Sequence, residues 1–411
     1  MMKNRKSFIV ILAGVLFISC ITKLTAQDWP QWRGVNRDGV VKGFTTPGNW
    51  PPELTMQWKK SIGAGDATPL LVGDHLYLFA RQDNSEVILC LDAASGDELW
   101  RNDYKAAAVT GAASRHPGPR STPAISDGKI VALGATGILS CLDAATGKLI
   151  WRKDPFPGIV PMFFTAMSPV IVDGLCIAQL GGAGNGAMIA YEMNSGEERW
   201  RWSGEGPDYG SPVLLKTEGV TQIVTPTEKS IVGVDLADGK LLWQLPFAPV
   251  RRAYNAATPI VSGNTVFYGG AGRGTHAVRI EKQGDHFVPT ALWDNADLSV
   301  QFNTPVLKQN MLFGYSSSGT FFCIDATNGQ TAWSDTVHHE RSGFAALLDV
   351  GPAIMALPGS SELIFIKPVK DQYTELANMK ISDLAIYATP VVAGDRIFIR
   401  DEQNITLWKV K

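Results

Sequence analysis

The stretch CLDAATGKLIW, residues 141–151, decides the fold because it recurs. It returns as CLDAASGDELW at 90–100, as CIDATNGQTAW at 323–333 and, more loosely, as GVDLADGKLLW at 233–243. In each copy an apolar run ends in Asp, a small-residue turn carries Gly, and Trp follows four residues later. That order reads as strand, tight turn, outer strand. The Asp side chain accepts hydrogen bonds from the turn amides, and Gly takes the left-handed backbone that the bend requires.

A second marker sets the period. Small or polar residues, then proline, then a β-rich run occur at Pro69, Pro123, Pro169, Pro212, Pro259, Pro305, Pro352 and Pro390, spaced 54, 46, 43, 47, 46, 47 and 38 residues apart. Eight markers at this period indicate a repeat architecture. Hairpin turns follow, as in VGDHLYLFA (72–80), SDGKIVALG (126–134) and AGDRIFIRD (393–401), since Gly and Asp tolerate positive φ.

Each unit therefore reads as four short strands. The fold class is all-β, an eight-bladed β-propeller of four-stranded blades. Seven blades is the alternative, because the seventh outer strand, TELANMKIS (374–382), has no Trp. Trp100, Trp151, Trp200, Trp243, Trp293 and Trp333 sit on outer strands. There a large ring packs between blades and offers its indole N–H to the next one. The unit from Thr389 has only three strands, whereas LTMQWKKSIG (54–63) precedes the first marker. That N-terminal strand, with Trp58, is expected to complete the last blade and remove its edge.

The chain has 411 residues, 45% of them hydrophobic, enough for a large core. Lys3, Arg5 and Lys6, an apolar run over 8–21 and Ala26 read as a signal peptide, cleaved near Ala26–Gln27. The organisation expected is a signal peptide (1–26), an N-terminal segment (27–53) and the propeller (54–411). The product would be exported and periplasmic. The alternative is a lipoprotein anchored through Cys20, because Ile18-Ser19-Cys20 resembles a lipoprotein processing site. Cleavage removes four basic residues and no acids, leaving 33 basic and 39 acidic residues and a formal charge of −6. With no basic run, this argues against a nucleic-acid partner. No later segment is apolar for long enough to span a bilayer, and a monomer is expected. Cys90, Cys141 and Cys323 hold one repeat position, so they and Cys176 are expected to be free and buried.

The D-A-x-T-G-x-x-x-W pattern, with DWPQWRGVNRDG (28–39) and TPGNWPPELTMQWKKSIG (46–63), resembles the PQQ-like β-propeller family, the quinoprotein alcohol dehydrogenase-like fold. The resemblance covers residues 28–411. It implies one of two classes. Dehydrogenases of this family hold pyrroloquinoline quinone (PQQ) with Ca²⁺, a vicinal cysteine pair and an Asp base. This chain has no adjacent cysteines. BamB-like members are non-catalytic and bind proteins. The expectation is an exported binding or scaffold module with no catalytic residue, metal or cofactor, which docks a protein or takes a glycan or small molecule at the channel mouth. The alternative is a PQQ- and Ca²⁺-dependent dehydrogenase of alcohols or sugars.

Other motifs carry less. GGAGNG (181–186) and GGAGRG (269–274) fall between second and third strands, so they read as hairpins rather than phosphate loops. His338-His339-Glu340 lacks the spacing that puts metal ligands on one face. More informative are the connections from each outer strand to the next inner strand, such as AVTGAASRHPGPR (108–120) and PFAPVRRAYNAA (246–257). They converge on the channel mouth. The ligand- or partner-binding residues expected there are Arg120, Tyr209, Tyr254, Asn255, Gln301, Asn303, Arg341 and Tyr387.

Overall fold

The structure, a computed structural model, describes residues 28–250, 253–337, 339 and 342–410. The signal segment with Cys20, and His338, Glu340 and Arg341, lie outside the described residues.

Among the described residues the strands form eight four-stranded antiparallel sheets. Blades 1 to 7 span 70–105, 124–153, 170–202, 213–246, 260–295, 306–334 and 345–380 in chain order. Blade 8 takes three strands from 391–409 and its outer strand from Thr55–Ser61, which pairs with Asn404–Lys409. The ring is thus closed by the N-terminal strand. Arg400 reinforces the seam: fully buried, it donates to the backbone carbonyls of Ala67 and Phe79 at blade 1.

The repeated phrase has a packing logic. Cys90, Cys141 and Cys323 each lie directly opposite the tryptophan of their own phrase, Trp100, Trp151 and Trp333. Ala190, Gly233 and Ala277 hold that place opposite Trp200, Trp243 and Trp293. A small residue leaves room for the indole across the pleat. The four cysteines are free and buried.

The indoles tie neighbouring blades together. Trp100, Trp151, Trp200, Trp293 and Trp333 donate to carbonyls of the following blade, at 3.1, 3.0, 2.9, 2.9 and 2.9 Å. Trp243 instead bonds Gln222 Oε1 of its own blade at 2.6 Å, and the indole N–H of Trp58, on the closing strand, is buried without a partner among the described residues. Blade 5 runs straight on through a longer hairpin, Thr275–Gln283 into His286–Asn295, and so lacks the tight turn whose carbonyl, at Ala144, Met193, Leu236 and Ala326, is the acceptor in blades 2, 3, 4 and 6.

The turn glycine has a second reason to be glycine. At Gly147, φ is +70°, and a Cβ there would lie 2.4 Å from Cε3 of Trp100 in the preceding blade. Gly147→Ala is therefore expected to cost about 2–3 kcal/mol, from left-handed strain plus overpacking. Urea unfolding measures this; a loss under about 1 kcal/mol would show that the indole contact is soft.

Blade 7 departs from the pattern. Phe365 stands where the cysteines stand, opposite Ala377 where the tryptophans stand. Trp50, from the segment before the closing strand, lies against Phe365 with ring centroids 4.2 Å apart. A residue far away in sequence supplies the missing aromatic. The marker at Pro352 is also displaced. The inner strand of blade 7 is Ala345–Asp349, and Pro352 lies in the turn after it.

Candidate functional site

The N-terminal segment closes one end of the central channel. Trp29 is fully buried and pairs with Leu71 through both backbone bonds. Arg33 and Arg37 are 3% and 5% exposed. Arg37 donates to the carbonyls of Ser168, Pro169 and Pro212, at 3.1, 3.0 and 2.8 Å. Arg33 donates to those of Thr304 and Pro305, at 3.0 and 2.9 Å, and reaches Leu347 O at 3.4 Å. Each planar guanidinium spans two adjacent blades, which its forked donors suit. Burial lowers their pKa to about 10 and about 9, so both stay charged at neutral pH. Nothing in the sequence of 27–53 marks a role of this kind.

A band of hydroxyls crosses the same level. Backbone N–H groups of Thr389, Thr68, Thr122, Ser168, Ser211 and Thr258 donate in turn to the side-chain oxygens of Thr68, Thr122, Ser168, Ser211, Thr258 and Thr304. Each bond joins one blade to the next. The small polar residue before each proline is therefore an inter-blade latch. Blade 7 has Ala345-Ala346 there and no hydroxyl, and Arg33 bridges that interruption.

Above this floor a funnel of about 420 Å³ opens. Every one of the eight outer-to-inner connections contributes to its wall: Asp66, His116, Phe163, Tyr209, Tyr254, Phe302, Phe344 and Tyr387, in chain order. Phe163, Tyr209 and Tyr254 form one aromatic cluster, with centroids 4.8–6.4 Å apart. His116, Tyr387 and Phe344 form another, at 4.8 and 4.9 Å. Trp32 lies at the floor, its indole directed to Thr258 Oγ1 at 3.3 Å. The Asp66 carboxylate holds Nδ1 of His116 at 2.8 Å.

Of the residues expected at the mouth, Arg120, Tyr209, Tyr254, Asn303 and Tyr387 line the funnel. Asn255 and Gln301 do not. Asn255 is buried behind Tyr254, donating to Thr227 O and Phe247 O at 2.9 and 3.1 Å. Arg341 lies outside the described residues. Arg120 directs its donors to the carbonyls of Phe163, Ala113 and His116, so it braces the wall. Asn303 is likewise tied to Tyr315 O and Gly343 O. Trp32, Asp66, His116, Phe163, Phe302 and Phe344 were missed. A sequence shows which loops converge, but not which of their residues turns inward.

Asp208 sets the wall between Tyr209 and Tyr254. Its carboxylate accepts from Asn255 N at 2.7 Å, while Tyr209 N and Gly210 N donate to Asn255 O. Burial pushes the carboxyl up from 3.8 to about 7, against hydrogen bonds and the nearby Arg273. The folded state thus keeps a proton that the unfolded chain releases from about pH 4. This contribution to stability is full below that pH and is lost as pH rises through about 7. Tm is expected to fall between about pH 4 and pH 7, with a shallower slope in Asp208→Asn. Equal slopes in the two proteins would refute the assignment.

The donor set can be tested against the group that the fold implies. Calcium takes six to eight oxygens. Among the described residues the funnel wall carries one carboxylate, Asp66, already held by His116. No cluster of three His, Cys, Asp or Glu side chains suits a metal among those residues. The four cysteines lie apart, on separate strands of blades 1, 2, 3 and 6. These residues do not fit a Ca²⁺–PQQ centre with a vicinal disulfide.

A closed ring of tryptophan-latched blades with a one-ended funnel defines a PQQ-like propeller. Residues 83–335 match the family model described as outer membrane protein assembly factor BamB, and the chain belongs to that family. It is similar to the quinohemoprotein alcohol dehydrogenase of Comamonas testosteroni, with 23% identity over 352 residues, 75% of this chain and 47% of that protein. It thus spans about half the length of that relative. It is 21% identical over 373 residues to BamB of Shewanella oneidensis, covering 85% of this chain and 86% of that one. The crystal structure of BamB from Moraxella catarrhalis is similar in fold, with TM-score 0.64 at 15% identity, covering 87% of this chain and 98% of that one. No helix among the described residues is long and apolar enough to cross a membrane.

Proposed function

We propose that this chain is an exported, non-catalytic docking module that engages a protein partner across the mouth of the funnel. The observation that carries this reading is the rim. Met162, Val250, Phe302, Val337 and Leu384 are exposed large apolar residues. Each belongs to a different outer-to-inner connection, so they encircle one face. Exposed apolar residues ringed by polar surface mark protein contacts. The size match to BamB relatives supports the same reading, and the basic-then-apolar N-terminal sequence supports export.

Photo-crosslinking tests it. A photoreactive residue at Met162 or Val337 should give one discrete adduct in the native envelope. A probe at Leu99, exposed on an outer strand, should not. Val250→Asp with Phe302→Asp should abolish the adduct without changing Tm. Equal adducts at Leu99, or an adduct that survives both aspartates, would overturn the reading. The dehydrogenase alternative predicts dye reduction with PQQ, Ca²⁺ and alcohols or sugars. None above a control lacking the propeller is expected, because the donor set does not match that centre.

A further inference from the structure

The funnel below the rim has its own recognition chemistry, and three observations define it. The first is a floor of donors. The side-chain oxygens of Ser168, Ser211, Thr258 and Thr304 each accept a backbone N–H from the preceding blade. A hydroxyl with a lone pair so engaged keeps its proton to donate. Among the described residues no acceptor takes those protons, and all four side chains line the funnel.

The second is an acceptor on the wall. Asp66 accepts from Nδ1 of His116, which places the lone pair of the neutral imidazole on Nε2. Among the described residues Nε2 has no partner, and His116 faces the cavity. The third is a pair of aromatic surfaces. Tyr209 and Tyr254 come from the blade 3–4 and 4–5 connections, Phe344 and Tyr387 from the 6–7 and 7–8 connections across the ring.

We propose that the funnel binds a short neutral saccharide. Its sugar rings would rest their C–H faces on the aromatic walls. One hydroxyl donates to His116 Nε2, and others accept from the floor hydroxyls. A neutral ring compound bearing several hydroxyls meets all three features at once. A purely apolar ligand would strip water from the floor hydroxyls and from Nε2 without replacing it, leaving each of these polar groups unpaired. A carboxylate would sit beside Asp66, and the two guanidiniums of the lining, Arg33 and Arg120, already direct their donors to backbone carbonyls. The volume of about 420 Å³ falls within the usual range of small-molecule sites. This inference stands on the funnel interior and the docking proposal on the rim, with Phe302 common to both, and the variants that test it avoid the rim, so either can fail alone.

The test is titration of the mature protein with maltotriose, cellotriose and chitotriose, followed by tryptophan fluorescence and calorimetry, with benzoate as an aromatic carboxylate control. At least one trisaccharide should bind saturably and benzoate should not. His116→Phe keeps a ring against Tyr387 but removes the acceptor, and should weaken binding about tenfold. Tyr254→Ala should weaken it by at least as much, and serves as the second variant should His116→Phe fold poorly. Leu99→Asp, on an exposed outer strand, should leave affinity unchanged. Saturable benzoate binding with no trisaccharide binding would overturn the proposal. So would full affinity in both funnel variants, or loss of affinity in Leu99→Asp.

Discussion

Removing residues 28–61 should abolish cooperative unfolding, or lower Tm by well over ten degrees. The strand Thr55–Ser61 makes the outer quarter of blade 8, and its loss leaves Asn404–Lys409 as a bare edge. The same deletion takes away Trp29, Val41 and Leu54 from the cluster that joins blades 7, 8 and 1. It also removes Trp58, whose ring lies 3.0 Å from where a Cβ on Gly96 of blade 1 would stand. A ring has no partial closure, because opening one seam exposes both of its faces. A shorter deletion of 28–45 keeps the closing strand and should stay folded, with a smaller fall in Tm. If the 28–61 deletion melts with the full mature chain, closure by this strand contributes nothing and the seam must be held otherwise. Calorimetry of the three proteins decides between these outcomes.

Replacing Arg37 by Met should cost about 3–5 kcal/mol in urea unfolding. The methionine fills much of the volume but leaves the carbonyls of Ser168, Pro169 and Pro212 without their donors in a buried site. Three acceptors are affected, each previously bonded to a charged group, and such bonds contribute about 1.5–3 kcal/mol apiece before relaxation. Arg37→Lys should recover less than half of the loss, since one ammonium cannot fork between carbonyls of blades 3 and 4. A loss below about 1 kcal/mol for Arg37→Met would mean that water satisfies those carbonyls and that the plug is not a structural tie.

Blade 7 shows where local reading failed and why. Its outer strand has Ala377 at the tryptophan place, and its marker proline lies in a turn. The blade is restored by Trp50, which reaches Phe365 from about three hundred residues away in the chain. The same limit applied at the funnel. The eight converging connections were legible from the repeat, because strand direction alternates and the outer strand of each blade must return to the axis. Arg120 and Asn255 looked like ligand groups by residue type, yet each bonds backbone carbonyls of its own surroundings. Their role follows from which carbonyls lie nearby once the loops have packed.

The sequence by itself determined the blade. Alternating apolar residues, Asp and Gly turns and a tryptophan opposite a small residue are interactions between positions less than about fifty residues apart, so a period reveals them. It also indicated the closure, since three strands at one end and one at the other complete a single sheet, and it favoured eight blades over seven, a count that the eight sheets of the structure settle. Only the tertiary structure decided that DWPQWRGVNRDG plugs the channel. Arg33 and Arg37 bond carbonyls 131–314 positions away, and a guanidinium bound for a buried carbonyl has no local signature to separate it from one bound for solvent. The axis of the ring exists only after all eight blades are in place. The residues that line it, Trp32 and the His116–Asp66 pair among them, acquire neighbours at that moment and not before.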